Sequence, residues 1–217
     1  MNNYFDFSSN DFFIGTAFNN SNITDKENLI SILVNKKLDI NNITEANQIH
    51  SSKIFFVMKS GTYHNLDGFI TNKNSKLILV IKTADCIPMF IYDEVNKNYG
   101  IVHAGWKGIH NKIHLNIINE FIKLGSSLSH LNIIMGPSIK SCCYEVSENM
   151  KKYFGDQSII VNNKKYYLDL NNCIINDLRN EGIKNIKIDQ TCTYEDKNCY
   201  SYRRNNNGRM YSFITLL

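Results

Sequence analysis

Residues 77–125 read LILVIKTADCIPMFIYDEVNKNYGIVHAGWKGIHNKIHLNIINEFIKLG, and a change of period inside this stretch decides the class of fold. Up to Val102 the apolar residues come in short runs rich in Ile, Val and Phe, bounded by Asn, Asp and Gly, which is the composition of sheet strands. Strands are expected at 77–82, 88–92 and 100–102. After Trp106 the spacing becomes helical. Ile109, Ile113, Ile117, Phe121 and Leu124 fall on one face of a single expected helix, and Gly125 stands where a left-handed residue would end it.

The same alternation extends outward. Thr24 with Glu27 has the form of a capping box, followed by Leu29, Ile30, Leu33 and Val34 at helical spacing, so a helix is expected over about 25–37. Strands follow at 53–57 and 68–71. Beyond the central stretch, 131–135 reads as a strand, and Ser147 can cap a short helix that Gly155 ends. Another strand is expected at 166–170, then a helix capped by Asp169 or Asn171 and running to Gly182, then an extended segment at 186–188. The tail CYSYRRNNNGRMYSFITLL (199–217) predicts a hairpin with its turn at NNNG. With no linker composition and no internal repeat, the expectation is one mixed α and β domain over 1–217.

The chain has 217 residues, 43% of them hydrophobic, and a net charge of +4 without long basic runs, so no nucleic acid is expected as principal partner. MNNYFDFSSNDFF lacks the basic and apolar regions of a signal peptide, and LILVI at 77–81 is far too short for a bilayer, so the expected location is the cytoplasm, with no membrane partner. There the six cysteines would stay reduced, and metal binding or catalysis explains them better than a disulfide framework, although most can be small buried side chains.

Three places put His or Cys among turn residues at strand ends: NQIH (47–50), TADC (83–86) and VHAGW (102–106). Two imidazoles and a thiolate from His50, Cys86 and His103 suit a catalytic zinc with its fourth position open. The alternative is a buried Cys86 and two histidines satisfied by backbone groups. Pro88 cannot donate to a ladder, which favours a cleft beside Cys86. In HAGWKG, backbone amides at a helix start favour an anion. His110 and His114 are expected on the flank of the amphipathic helix. Cys142 and Cys143, as strand neighbours, are expected to point apart and so not to act as joint ligands. Trp106 can stack on a base or pack on the core.

IVHAGWKG, TADCIP, GPSIKSCCYEV (136–146) and SYRRNNNGRM (201–210), in this order, resemble the YfiH family, also catalogued as the multicopper polyphenol oxidase or laccase-domain family. The resemblance runs from about Asn47 to the C-terminus. It implies an α+β fold, a four-layer α/β/β/α sandwich with mixed sheets, as in the cytotoxic necrotizing factor deamidase domains. It also implies a purine nucleoside phosphorylase with adenosine deaminase and methylthioadenosine phosphorylase activities, using zinc on His50, Cys86 and His103. Two departures stand out: Lys107 where the family has Arg, giving a point charge without a fork, and Leu29 after Asn28 where the family has an Asn-Arg pair.

Deamination needs a proton shuttle, for which Asp85 is the candidate, while Asp67 reads better as a turn residue. Phosphorolysis needs cations around phosphate, and Lys107, Arg203, Arg204 and Arg209 are the candidates. Strand alternation would point Arg203 and Arg204 to opposite faces, so at most one is expected to reach the pocket. The expected partners are a purine nucleoside and phosphate, met by a monomer or weak homodimer. The rival readings are a copper-dependent polyphenol oxidase, a Cys-His amide hydrolase editing peptidoglycan precursors with Cys86 as nucleophile and His103 as base, and a binding module without catalysis.

Overall fold

The computed structural model describes residues 3–18 and 23–217. Alternation along the strands builds the layers. In the first sheet the order is β1 (Tyr4–Asp6), β2 (Phe12–Ala17), β15 (Met210–Leu216), β7 (Ile78–Thr83), β3 (Ile43–Asn47), β5 (Gly61–His64). In the second it is β14 (Asn185–Ile188), β10 (Leu131–Met135), β8 (Ile87–Asp93), β9 (Tyr99–Ala104), β6 (Gly68–Thr71), β4 (Ile54–Phe56). Both sheets mix parallel and antiparallel pairs, with β3–β7 and β10–β14 parallel and β2–β15 and β8–β9 antiparallel.

Phe12, Ile14, Leu79 and Ile81 from the first sheet meet Phe69, Phe90, Tyr99 and Ile101 from the second in one buried cluster. Their sequence neighbours Phe13, Ile78 and Val80 turn the other way, onto Leu29, Ile32 and Leu33 of α1 (Asp25–Asn35). On the far side of the second sheet, Met89, Ile91, Val102 and Ile133 pack with Ile109, Ile117, Phe121, Ile174 and Leu178. These come from α2 (Trp106–His110), α3 (Ile113–Lys123) and α5 (Leu170–Asn180). The order of layers is therefore helix, sheet, sheet, helix. Period-2 alternation sends successive apolar residues to opposite faces, and because both faces of each sheet are covered, the strands read as continuous apolar runs. A small third sheet, β11 (Glu145–Val146), β13 (Lys165–Leu168) and β12 (Ile159–Asn162), lies beside α4 (Lys151–Phe154).

Local signals account for the starts of α1 and α5, whereas Ser147, the expected cap near 148–154, makes no side-chain cap bond. Thr24 Oγ1 accepts from Glu27 N at 3.2 Å and Glu27 Oε2 accepts from Thr24 N at 2.8 Å, the reciprocal capping box. Asp169 rather than Asn171 caps α5, accepting from Asn172 N at 2.9 Å.

Two expectations are corrected. The single helix after Trp106 is two helices, because Lys112 adopts φ 60° and breaks the ladder between α2 and α3 while the apolar face continues across the break. The tail forms no hairpin: residues 202–205 are turns, Asn205 has φ 62°, and only β15 is extended. That strand finds β2 on one side and β7 on the other, so its hydrogen bonds are satisfied by distant partners instead of its own upstream neighbours.

Candidate active site and metal centre

The chain passes between the two sheets at a few places, and the chemistry gathers there. β7 of the first sheet ends at Thr83 and β8 of the second begins at Ile87, so Cys86 stands on the crossing. Asp85 beside it holds φ 83°, a conformation that non-glycine residues rarely adopt. A second crossing follows β3, where Gln48 ties the edge: its Nε2 donates to Lys82 O and its Oε1 accepts from Lys82 N, both at 2.8 Å. This side-chain amide extends the parallel β3–β7 pairing by one step and delivers His50, itself at φ 58°. His103 lies on β9 opposite Pro88. On the β6 side of the strand His103 N donates to Asp67 O at 2.7 Å, while Pro88 O accepts from Gly136 N at 2.9 Å.

The structure brings His50, Cys86 and His103 together, with one ligand atom from each within 4.8 Å of the other two. The two imidazole rings stand nearly edge to face, centroids 4.7 Å apart. Asp67 is the residue that sequence reasoning undervalued. It is fully buried, it accepts from His50 N at 3.0 Å, Ser51 N at 2.6 Å and Ser51 Oγ at 2.7 Å, and its Oδ1 lies 2.9 Å from His103 Nδ1. With Nδ1 held by the carboxylate, Nε2 of His103 is left for a metal, the usual outer-shell arrangement for a ligating histidine. Its only signal in the sequence was a carboxylate directly before a strand, which a turn explains equally well.

Gly105 closes the cradle. A Cβ there would come 3.0 Å from Cys86 Sγ and 3.2 Å from His50 Cδ2, so any side chain would make the sulfur and the His50 ring give by a few tenths of an ångström. Burial pushes the Cys86 thiol up, but the adjacent His103 and His50 imidazoles outweigh it and hold the thiol at about 6. Burial pushes His103 down, but the Cys86 charge and the Asp67 hydrogen bond raise it to about 9. Burial raises Asp67 too, and the His103 and Ser51 hydrogen bonds bring it below the usual carboxylate range. A thiolate and two imidazoles with an orienting carboxylate suit a metal ion.

These groups floor a cavity of about 870 Å³, the size of small-molecule sites. Lys82, Lys107, Arg203 and Arg209 line it, against Asp85 as the one lining carboxylate. Trp106, Tyr144 and Tyr202 supply aromatic surface. Trp106 packs on the helical core and also lines the cavity.

Arg203 reaches the cavity, with its guanidinium 5.3 Å from the Tyr144 ring centroid and donating to Glu145 O at 2.7 Å. Arg204 does not line it. Its guanidinium donates to the carbonyls of Thr193 at 3.0 Å, Tyr194 at 2.6 Å and Cys199. Only one of the two faces the cavity, but the cause is a turn and not strand alternation. The Asp85 carboxylate is occupied by Thr193 Oγ1 at 2.6 Å, Ser201 Oγ at 3.1 Å and Arg203 N at 2.8 Å, so it ties the arginine loop to the floor. Leu29 is fully buried in the α1 layer and makes no part of the cavity, while Asn28 donates to Phe18 O at 3.0 Å. His110 ends α2 and His114 lies in α3, bound to Tyr153 O and Asp177 respectively. Cys142 and Cys143 correct their expectation: they sit in a turn, not a strand, and their sulfurs lie 3.4 Å apart.

A family model described as "Multi-copper polyphenol oxidoreductase laccase" matches residues 11–217. The chain is 36% identical to a purine nucleoside phosphorylase of Borreliella burgdorferi over 176 residues, 77% of this chain and 76% of that one. The crystal structure of the Bacillus licheniformis hypothetical protein YfiH superposes with a TM-score of 0.86 at 25% identity, covering 95% of this chain and 93% of that one. That of YlmD from Geobacillus stearothermophilus gives 0.85 at 18% identity over 94% and 92%, a likeness of fold alone. Motifs, layers and the family match agree, and the chain belongs to the multi-copper polyphenol oxidoreductase laccase family, the YfiH family.

Proposed function

We propose that the cavity is the active site of a zinc-dependent purine nucleoside phosphorylase that also deaminates adenosine and cleaves methylthioadenosine. The observation that carries this reading is a three-ligand cluster, open on its cavity side, under a rim of four cations. Relatives named purine nucleoside phosphorylase support it. A zinc ion on His50, Cys86 and His103 would supply Lewis acidity next to the substrate.

The chain's own residues do the rest. Lys107, Arg203 and Arg209 attract and orient phosphate so that its oxygen bonds to C1′ of the ribose as the C1′–N9 bond breaks and its electron pair leaves with the purine. Lys82 adds to the same positive field. Trp106 and Tyr202 offer ring faces to the base. Asp85 acts as a positioning residue for Arg203, in preference to the proton shuttle considered from sequence. The reading takes residues 1–217 as one cytoplasmic domain, a monomer or weak homodimer acting on small molecules.

Zinc is favoured over copper because an oxidase needs further imidazoles for oxygen reduction. Of the six histidines, His64 is engaged by Asn47, His110 by Tyr153 and His114 by Asp177. One rival retains a specific support: Cys86, His103 and Asp67 also have the order of a nucleophile, a base and its orienter. Amide hydrolysis through Cys86 is therefore the second reading.

Chelation separates them. Protein stripped of metal and still folded should release no base from adenosine or inosine with phosphate present, and zinc should restore release. No base release even with zinc restored, beside an amide hydrolysis that survives chelation and is abolished by alkylation of Cys86, would replace the phosphorylase with the hydrolase.

A further inference from the structure

The second gathering of metal-ligating side chains lies outside the cavity. Cys142 and Cys143 follow one another in a tight turn, where Cys143 N and Tyr144 N both donate to Lys140 O at 2.9 Å. The turn brings both sulfurs to one side. Cys192 arrives from the segment after β14, which runs against residue 138 through Thr193 N to Ser138 O at 3.2 Å and a bridge between Ser138 and Cys192. Lys140 N donates to Cys192 Sγ at 3.5 Å. One turn further on, Glu195 N donates to Cys192 O at 3.1 Å, and Glu195 Oε2 lies 3.8 Å from Cys142 Sγ. One ligand atom from each of these four residues lies within 4.8 Å of the other three.

We propose that Cys142, Cys143, Cys192 and Glu195 form a second metal site, a closed structural one that takes a single thiophilic divalent cation of the zinc class. Four protein donors with no position left for substrate is the pattern of a structural site, in contrast to the three-ligand set on the cavity floor. Three thiolates and one carboxylate select a soft or borderline cation over magnesium or calcium. The hydrogen bond that Lys140 N donates to the Cys192 sulfur is the outer support that such ligands carry. Cys142, Cys143 and Cys192 are all free thiols.

The two segments joined are the ones that build one cavity wall. The first continues into Tyr144 and Glu145, and the second into the turn carrying Arg203, whose guanidinium bonds Glu145 O. The cation would hold them together where, among the described residues, one isolated bridge is the sheet pairing between them.

The test uses the full chain purified under reducing conditions without added metal. The Cys86→Ser variant should still carry one zinc per chain by mass spectrometry, with three sulfur scatterers at about 2.3 Å by X-ray absorption. Adding Cys192→Ser should remove that sulfur-coordinated zinc. Because Cys192 is buried and its replacement can disturb folding, the wild type supplies an independent readout. Exposed Cys142 should resist iodoacetamide until a chelator strips the metal, then react. A Cys86→Ser protein without sulfur-bound zinc would overturn the proposal. So would free alkylation of Cys142 in zinc-loaded wild type, or a Cys142–Cys143 disulfide in the reduced preparation.

Discussion

At the scale of single residues, Asp67 concentrates more of the site than its place in the sequence suggests. It holds three backbone amides of the His50 loop and the Nδ1 of His103 without any exposure to water. Asp67→Asn keeps the shape but removes the charge and one acceptor. We expect zinc affinity, measured by competition with a chelator, to fall about 10- to 100-fold, and stability in urea to fall by about 2 kcal/mol or more as charge-assisted bonds are lost. Unchanged metal affinity would show that Asp67 only shapes the loop. The paired arginines invite a second comparison. Arg203→Met should raise the KM for phosphate with little change in melting temperature, since Arg203 faces the cavity. Arg204→Met should lower the melting temperature, since it orphans carbonyls of Thr193, Tyr194 and Cys199. Steady-state kinetics beside thermal melts would reveal the reverse pattern if the assignment is wrong.

At the scale of elements, α3 and α5 are pinned across the outer helical layer by His114, whose Nε2 lies 2.8 Å from Asp177 Oδ2. Lys112 Nζ donates to the same oxygen at 2.8 Å. Neutral His114 donates through Nε2, and its buried Nδ1 has no partner among the described residues, so protonation would place a second N–H where none of them accepts it. Burial lowers the His114 pKa against the pull of Asp177. Burial raises Asp177, but the Lys112 and His114 hydrogen bonds bring it below the ordinary value. Both shifts act in one direction. His114 contributes its full stability above its unfolded value of about 6.5 and loses it as the pH falls below that. Asp177 contributes fully above the ordinary carboxylate range and loses its share at still lower pH. Melting temperature should therefore fall from pH 7 to pH 5, and His114→Gln should flatten the upper part of that fall. An equal fall in both proteins would remove His114 from the explanation.

At the scale of the whole molecule, three buried clusters alternate with the sheets, and each strand of the sheet centres contributes to two of them. Cutting one layer should weaken the next. If 1–217 is one domain, unfolding in urea should be a single transition by tryptophan fluorescence, which watches Trp106, and by far-ultraviolet circular dichroism. Leu29→Ala, in the α1 layer and remote from Trp106, should shift both probes together by about 2 to 5 kcal/mol. Separate transitions would divide the chain into independently folding units.

Much of this protein was legible in the sequence because its determinants are local. The capping box of α1, the Gly125 stop and the strand runs around 78–104 depend on spacing and on side chains a few residues apart, so the reading matched those elements. The four ordered motifs carried the family, and with it the order of layers. What spacing could not carry was anything set by distant partners. Whether residues 199–217 pair with each other or with β2 and β7 depends on which strands leave a gap in the first sheet. Lys112 at φ 60° is tolerated because the packing of α2 and α3 outweighs a local preference. The role of Asp67 exists only where the loop after β3 meets β9, and the approach of Cys192 to the Cys142–Cys143 turn exists only once β14 lies beside β10. Periodicity records which face of an element is buried, whereas long-range convergence is decided by how the sheets close on one another, and no short window of sequence contains that information.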